Sequence, residues 1–327
     1  MSKEKLLDLL RQRQGDYVSG NELGIALGVS RAAIWKMIQA LRAQGYQIES
    51  RTNKGYFLLQ GSHKILPEEI KRHLHTTQLG HPLRLLRTAD STNTLARQEA
   101  ANGAKEGLTL IALQQTQGRG RHGRTFSSPC GGIYLSVLLR PDIRLEELTL
   151  ITLAGAVSVA QATEELLDIH PGIKWVNDLL LDGKKLCGIL TEASMEAETG
   201  QVDHVVVGIG INVDEAPVID GPVKSCALSQ FTTREIDKNE LIARILSLLE
   251  EYLFEIGKGE RQRLLQAYRS RLILLDKDIF FELEGRPCRA HVTGLDEGGG
   301  LVVTLADKTT RVLRSGEVSI PIPPDTN

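Results

Sequence analysis

The amino-acid sequence predicts an α+β protein in three parts: a winged helix-turn-helix head over 1–62, a central α/β domain with a mixed sheet over 81–270, and a small SH3-like β-barrel over 271–322, with 63–80 as a linker. Three observations carry this reading. Two short helical patterns meet at a glycine near the start of the chain. Apolar β-like runs alternate with glycine-rich loops through the middle. Short β runs separated by turn residues close the chain.

The head comes first. Leu6, Leu7 and Leu10 fall on one face of a helix over 4–13. Ser19 and Glu22 form the S-x-x-E reciprocal cap that opens a second helix. Gly28 ends that helix, because glycine tolerates the left-handed conformation required there. Ser30 caps a third helix, in which Ile34, Ile38 and Leu41 recur at i, i+4, i+7 and leave Arg31, Lys36, Gln39 and Arg42 for other faces. Alternation through Ile48, Ser50 and Thr52 to an Asn53-Lys54-Gly55 turn predicts a β-hairpin, the wing. Residues 1–60 hold nine Lys or Arg against five Asp or Glu, in a chain of net charge −2. Positive charge therefore gathers in the head. Ser30, Arg31 and Lys36 on the helix, and Arg51, Asn53 and Lys54 on the wing, are the candidate DNA contacts. Pro67 with Glu68 and Glu69 then suits the start of a short linker helix.

Composition excludes several classes. Cys130, Cys187, Cys226 and Cys288 are far apart in sequence and lack metal-ligand spacing, which argues against a zinc site or a disulfide framework. The first residues are charged, with no apolar signal core. No apolar run approaches the roughly 18 residues of a membrane span. A cytoplasmic protein without a membrane partner is expected.

The chemistry gathers in the centre. Between β-like runs at 108–113 and 133–139, the segment QQTQGRGRHGRTFSSPCGG alternates Gly118, Gly120 and Gly123 with Arg119, Arg121 and Arg124. Glycines let backbone N–H groups approach phosphate, and guanidiniums supply paired donors to its oxygens. Mutual repulsion of the arginines predicts a loop that stays mobile until an anion arrives. The P-loop pattern is absent, and the letters G-x-G-x-x-G at 118–123 open no βαβ helix. A small anionic ligand and an RNA strand are both compatible with this loop taken alone.

Three further clusters follow the same double reading. Residues 173–190 run from a strand ending at Lys174-Trp175, through an Asn177-Asp178 turn, into a hairpin around Gly183-Lys184. Asp178 is a candidate magnesium ligand and Asn177 a hydrogen-bond partner. Lys185, where the second hairpin strand begins, is either an anion contact or a surface lysine. Gly208 and Gly210 in the apolar strand 205–213 admit a flat apolar ring or mark a bulge. Ser91 and Thr92, at 89–101, either cap the helix that follows or present a polar ligand head to its N-terminus.

Together these clusters, STNTLA, QQTQGRGRHGR, KWVNDLLLDGKKLCGIL and GIGINV, resemble the biotin protein ligase family in order and spacing. With the winged helix in front, the resemblance is to its bifunctional members, which join ligase and biotin-operon repressor in one chain. It implies a central biotin/lipoate-ligase-like domain that activates biotin with ATP and Mg2+ and transfers it to a lysine of a biotin carboxyl carrier protein, that of acetyl-CoA carboxylase. It also implies operator DNA as a partner and a ligand-promoted homodimer. By position, Ser91, Thr92, Asn93, Gln115, Gly118, Arg119, Arg121, Lys185, Gly188 and Ile189 would form the biotin site. Arg121, Arg124, Phe126, Asn177 and Asn212 would serve the adenylate or ATP. Lys185, Arg119 and Arg121 would be catalytic. Two departures stand out: Val176 replaces the family's usual proline, and Phe126 stands where tryptophan is common. A lipoate-type acyl ligase and a ligand-sensing repressor without catalysis remain the alternatives.

Beyond the centre, residues 239–256 form an amphipathic helix and 261–271 another. The runs DIFFEL, CRAHVTGL, GLVVTL and TTRVLRSGEVSI, separated by Glu284-Gly285 and the glycines after Glu297, predict the C-terminal barrel.

Overall fold

The computed structural model describes residues 3–13, 16–44, 46, 48–51, 54–58, 65–196, 201–218, 224–283, 286–314 and 318–319. In the head, α1 (Lys3–Gln12), α2 (Gly20–Leu27) and α3 (Arg31–Gln44) precede a hairpin of β1 (Ile48–Arg51) and β2 (Gly55–Leu58). The expected caps form: Ser19 Oγ accepts the Glu22 N–H at 3.1 Å, and Gly28 sits at φ 65°. Leu6, Leu23, Ile34 and Ile38 bury the inner faces of the three helices. Gly55, at φ 106°, lets the wing close on Val18, which exchanges backbone hydrogen bonds with Tyr56. Arg42 does not face outward as expected. Its guanidinium donates to the Ile48 carbonyl and to Ser50 Oγ, clamping the wing to α3.

The expected linker contains α4 (Pro67–His73), whose Ile70 is fully buried in the central core. Leu66 N–H donates to Asn239 Oδ1 at 2.7 Å. From Ile65 onward this stretch packs as part of the body. Tyr46 Oη donating to Glu69 and the Arg72–Asp8 ion pair tie the head to it.

The body is built on β3 (Leu83–Leu86), α5 (Thr92–Ala101), β4 (Thr109–Ala112), β5 (Ile133–Leu139), α6 (Leu148–Leu167), β6 (Gly172–Lys174), β7 (Asp178–Leu181), β8 (Lys184–Met195), β9 (Val202–Ile211), α7 (Lys238–Gly257) and α8 (Gln262–Arg269). Its sheet has the order β3-β4-β5-β9-β8-β7-β6, with β3 and β4 parallel and the other neighbours antiparallel. Alternation along β9 separates two faces. Val206 packs with α5 residues Ala96 and Ala100, whereas Val205, Val207 and Ile209 join the larger core containing α6 and α7. Gly208 and Gly210 therefore share the α5 face. The hairpin turn at Asp182 and Gly183 has positive φ at both positions, as expected for a tight turn.

By length and composition alone α6 is apolar enough to cross a membrane, but most of it is buried inside the protein. It is apolar all round because it packs under the sheet against β8, β9 and α7. The chain ends in β10 (Asp278–Leu283), β11 (Arg286–Leu295), β12 (Leu301–Leu305), β13 (Thr310–Leu313) and β14 (Val318–Ser319), an antiparallel sheet of order β13-β12-β11-β10-β14. Its inner residues Ile279, Val292 and Val303 merge with the body's core, and Trp175 Nε1 donates to the Gly299 carbonyl at 3.0 Å.

Candidate functional site

A cavity of about 660 Å³ opens on the α5 face of the central sheet. At one end lies a polar cluster set by the start of α5. Ser91 caps the helix, accepting the Thr94 N–H. Gln115 Oε1 accepts from both the N–H and the hydroxyl of Thr92, and Gln115 Nε2 donates to Ser128 Oγ. Fully buried Ser136 lies within hydrogen-bond distance of Thr92 Oγ1 and Asn93 Oδ1. Asn93 Nδ2 donates to the Leu190 carbonyl and to Glu192. The result is a connected network of polar side chains on one end of the cavity, the kind of arrangement that suits a polar head group.

The strand glycines serve two internal contacts. A Cβ on Gly208 would lie 2.1 Å from Asn93 Oδ1, so this glycine admits the Asn93 amide. A Cβ on Gly210 would lie 2.4 Å from Phe126 Cε1, and one on Gly188 3.1 Å from Phe126 Cε2. Of the two glycines expected to admit a flat ring, Gly210 alone does so, and the ring is the chain's own Phe126, held edge-on by Tyr134. Burial pushes the Tyr134 phenol well up, which keeps it a donor to the Pro129 carbonyl.

The Gly-Arg loop is not the unpartnered, self-repelling segment expected from the sequence. A short turn at Arg121–Gly123 folds it back, with the Gly120 N–H on the Arg124 carbonyl and the Phe126 N–H on the Gly118 carbonyl. Repulsion is offset by partners: Arg119 meets Glu192 at 3.3 Å, and Arg121 donates to Asn177 Oδ1 at 3.2 Å. The loop so pinned forms one wall of the cavity.

Opposite it stand Asn177, Asp178 and Lys185. A register shift between β7 and β8 beside Leu179 and Leu180 lets Lys185 reach the cavity, its Nζ 2.7 Å from Asp178 Oδ1 and 5.9 Å from the centre of the Phe126 ring. Asn177 Nδ2 donates to Asp178 and to the Ile189 carbonyl. The Trp175–Val176 peptide is cis, and buried Tyr268 donates to the Val176 carbonyl. Asn212 is buried; its Nδ2 donates to two carbonyls, and its Oδ1 has no hydrogen-bond partner among the described residues.

Of the expected site residues, Ser91, Thr92, Asn93, Gln115, Arg119, Arg121, Arg124, Phe126, Asn177, Asp178, Lys185, Gly188, Ile189 and Asn212 all line this cavity. Two contribute otherwise than expected. Gly118 is buried beneath the loop, where a Cβ would strike the Phe126 carbonyl and Ser128 Oγ, so it permits the fold-back without lining the wall. The Ile189 side chain packs against Gly155 of α6 on the opposite face, so Ile189 offers the cavity its backbone. Sequence reasoning missed Ser128, Ser136 and Glu192. Ser136 carried a signal, a lone small polar residue within an otherwise apolar, fully buried strand; Glu192, in a strand of mixed polarity and exposure, carried none.

The fit of magnesium to this site is limited. Among the described residues no group of three or more His, Cys, Asp or Glu could hold a metal, and Asp178 is the carboxylate on the cavity wall. A protein cage for the ion does not fit; one carboxylate beside a bound polyphosphate does.

In the head, Ser30 Oγ caps α3 by accepting the Ala33 N–H, and Arg31 and Lys36 are exposed on that helix. Arg51 lies over the Tyr17 ring and near Glu49, still largely exposed, and Lys54 is exposed at the wing turn. Asn53 lies outside the described residues.

Fold and cavity define a two-part protein, a helix-turn-helix head on a ligand-binding body. The sequence profile of the Biotin/lipoate A/B protein ligase family matches residues 85–212, and that of an HTH domain matches residues 2–57. The chain is 40% identical to the bifunctional ligase/repressor BirA of Bacillus subtilis over 254 residues, 76% of this chain and 77% of that protein. It is 31% identical to the protein of the same name from Escherichia coli, over 97% of this chain and 96% of that protein. Among solved structures, the biotin protein ligase of Aquifex aeolicus in complex with biotin and ATP superposes with a TM-score of 0.63 at 29% identity, covering 73% of this chain and 98% of that one. The chain belongs to the biotin protein ligase family.

Proposed function

We propose that the body joins biotin to ATP and passes the biotinyl group to a lysine of a biotin carboxyl carrier protein, and that the head makes the same molecule a repressor of biotin-synthesis genes. The observation that carries the reading is the convergence, on one cavity, of a fixed polar cluster at Thr92, Asn93 and Gln115 with the cations Lys185, Arg119 and Arg121. A neutral polar ring suits the first, and two reacting anions suit the second.

In the first step a biotin carboxylate oxygen bonds to the α-phosphorus of ATP, which enters as its magnesium complex, and the bond to pyrophosphate breaks. Both reactants are anionic. Lys185 and the loop arginines offset their repulsion and the charge that builds on phosphorus in the transition state. Asp178 holds the Lys185 ammonium in place and is the wall carboxylate that would help hold the nucleotide's magnesium, which would offset phosphate charge. The unpartnered Asn212 Oδ1 suits a donor on the nucleotide base. In the second step the carrier lysine's neutral ε-amine attacks the acyl carbon of the mixed anhydride, AMP leaves, and the amine proton is released. The folded loop shields the anhydride from water.

For repression, ligand held under the loop favours a homodimer whose two heads reach two operator half-sites, and unmodified carrier competes for the same complex. The four cysteines are free thiols, in keeping with a cytoplasmic setting. Incubation of the full chain with ATP, labelled biotin and a carrier domain tests the enzymatic reading. Label should appear on the carrier lysine, and lipoate should not compete. Labelling by lipoate in preference to biotin, or none at all, would reject it.

A further inference from the structure

The recognition helix of the head carries an indole that the folded chain does not use. α3 buries Ile34, Met37, Ile38 and Leu41, while Arg31, Ala32, Trp35 and Lys36 are exposed on its outer side. Trp35 is 54% exposed and makes no ring contact among the described residues. The fourteen residues of α3 include no Asp or Glu, and neither Arg31 nor Lys36 meets an acid among the described residues. A large apolar side chain framed by unpaired cations is complementary to one surface, a polyanion that also offers apolar patches. The major groove of B-DNA is such a surface, because each thymine projects a 5-methyl group between two rows of phosphate. Ser30 caps the helix beside these residues, so Arg31, Ala32 and Trp35 lie in the N-terminal turns that enter the groove in this motif. Arg42, bound to the wing, keeps the helix and wing at a fixed angle.

We propose that Trp35 is a sequence-specificity determinant whose indole packs on a thymine methyl in each operator half-site, while Lys36 neutralises a flanking phosphate. This rests on the DNA-binding reading of the head. The test uses the full chain with biotin and ATP, and a duplex enriched by it from a random-sequence pool. Trp35→Ala should weaken binding to that duplex by roughly 5- to 100-fold, leave binding to unselected duplex within about twofold, and leave the salt dependence unchanged. Trp35→Phe should recover most of the loss. Lys36→Ala should instead weaken both duplexes alike and lower the salt slope by about one. Replacing thymine by uracil in the half-sites should weaken the wild type as much as Trp35→Ala does, and the variant no further. Equal binding of the enriched duplex by wild type and Trp35→Ala, or a uracil penalty shared by both, overturns the proposal and leaves DNA binding intact. Failure of the wild type to enrich any sequence or bind any duplex overturns both.

Discussion

The ammonium of Lys185 stands 2.7 Å from the carboxylate of Asp178, each side chain about three-quarters buried at the cavity wall. The pair exists because of the irregular pairing between β7 and β8 beside Leu179 and Leu180. Asp178 aims the ammonium, which joins Arg119 and Arg121 as a cation on the cavity wall.

Removing that charge should abolish most adenylate synthesis. Lys185→Ala is expected to slow biotin-dependent pyrophosphate release by about 10²–10³, the scale for loss of one group that stabilises transition-state charge. The urea midpoint should fall only slightly, since Lys185 sits at the wall and not in the core. Pyrophosphate release at the wild-type rate would remove Lys185 from the mechanism.

How much of this was legible in the sequence depends on what each residue contacts. The helix caps Ser19, Gly28 and Ser30, the wing turn and the hairpin at Gly183 are local, so their residues announced them. Helix α6 did not show itself, because burial on all sides erases the two-faced periodicity that marks a helix. The cavity's composition was readable, but its internal pairing was not. Phe126 on Gly210 joins positions far apart in sequence, as do Arg119 and Glu192, and no local pattern encodes such meetings. The same blindness made the arginine loop look unanchored.

Glu192 receives Arg119, Arg97 and the Asn93 amide, which ties the loop to the polar cluster through one carboxylate. Glu192→Gln keeps the shape and removes the charge. The ion pairs are partly exposed, so folding stability should change by less than about 1 kcal/mol. Positioning of Arg119 and Asn93 should suffer more: KM for biotin is expected to rise roughly tenfold, the equivalent of about 1.4 kcal/mol, with kcat for pyrophosphate release changed far less. Steady-state kinetics with saturating ATP separate the two. An unchanged KM would confine Glu192 to a structural role.

Gly208 has no room for a methyl group, since a Cβ would fall 2.1 Å from Asn93 Oδ1 and 2.8 Å from its Cγ. The Asn93 amide cannot retreat without breaking its bonds to Ser136, Leu190 and Glu192. Gly208→Ala is therefore expected to cost about 1–3 kcal/mol in urea unfolding and to weaken biotin binding in isothermal titration. Gly103→Ala meets no steric obstacle, although its positive φ makes it a control for backbone strain alone. A Gly208→Ala protein with wild-type stability and biotin affinity would show that the Asn93 network is not rigid.

Glu250 on α7 anchors the segment leading into β3. Its carboxylate accepts the backbone N–H groups of Thr77, Gln78 and Leu79 at 2.7–2.9 Å. Burial raises its proton affinity, but the three N–H donors more than reverse this, and the net effect holds the carboxyl below the usual glutamate range. A group whose folded pKa is depressed adds stability above its unfolded pKa and loses it as pH falls through the folded value. Glu250→Gln should therefore be less stable than wild type at pH 7, by about 1 kcal/mol for the loss of charge-assisted hydrogen bonds. The gap should narrow as pH drops below the ordinary glutamate pKa, because wild type then carries a neutral carboxyl as well. Paired urea titrations of the two proteins from neutral to acid pH measure the difference directly, and other carboxylates cancel in it. A gap that stays constant across that range would mean the Glu250 charge contributes nothing to holding α7 against the first strand of the sheet.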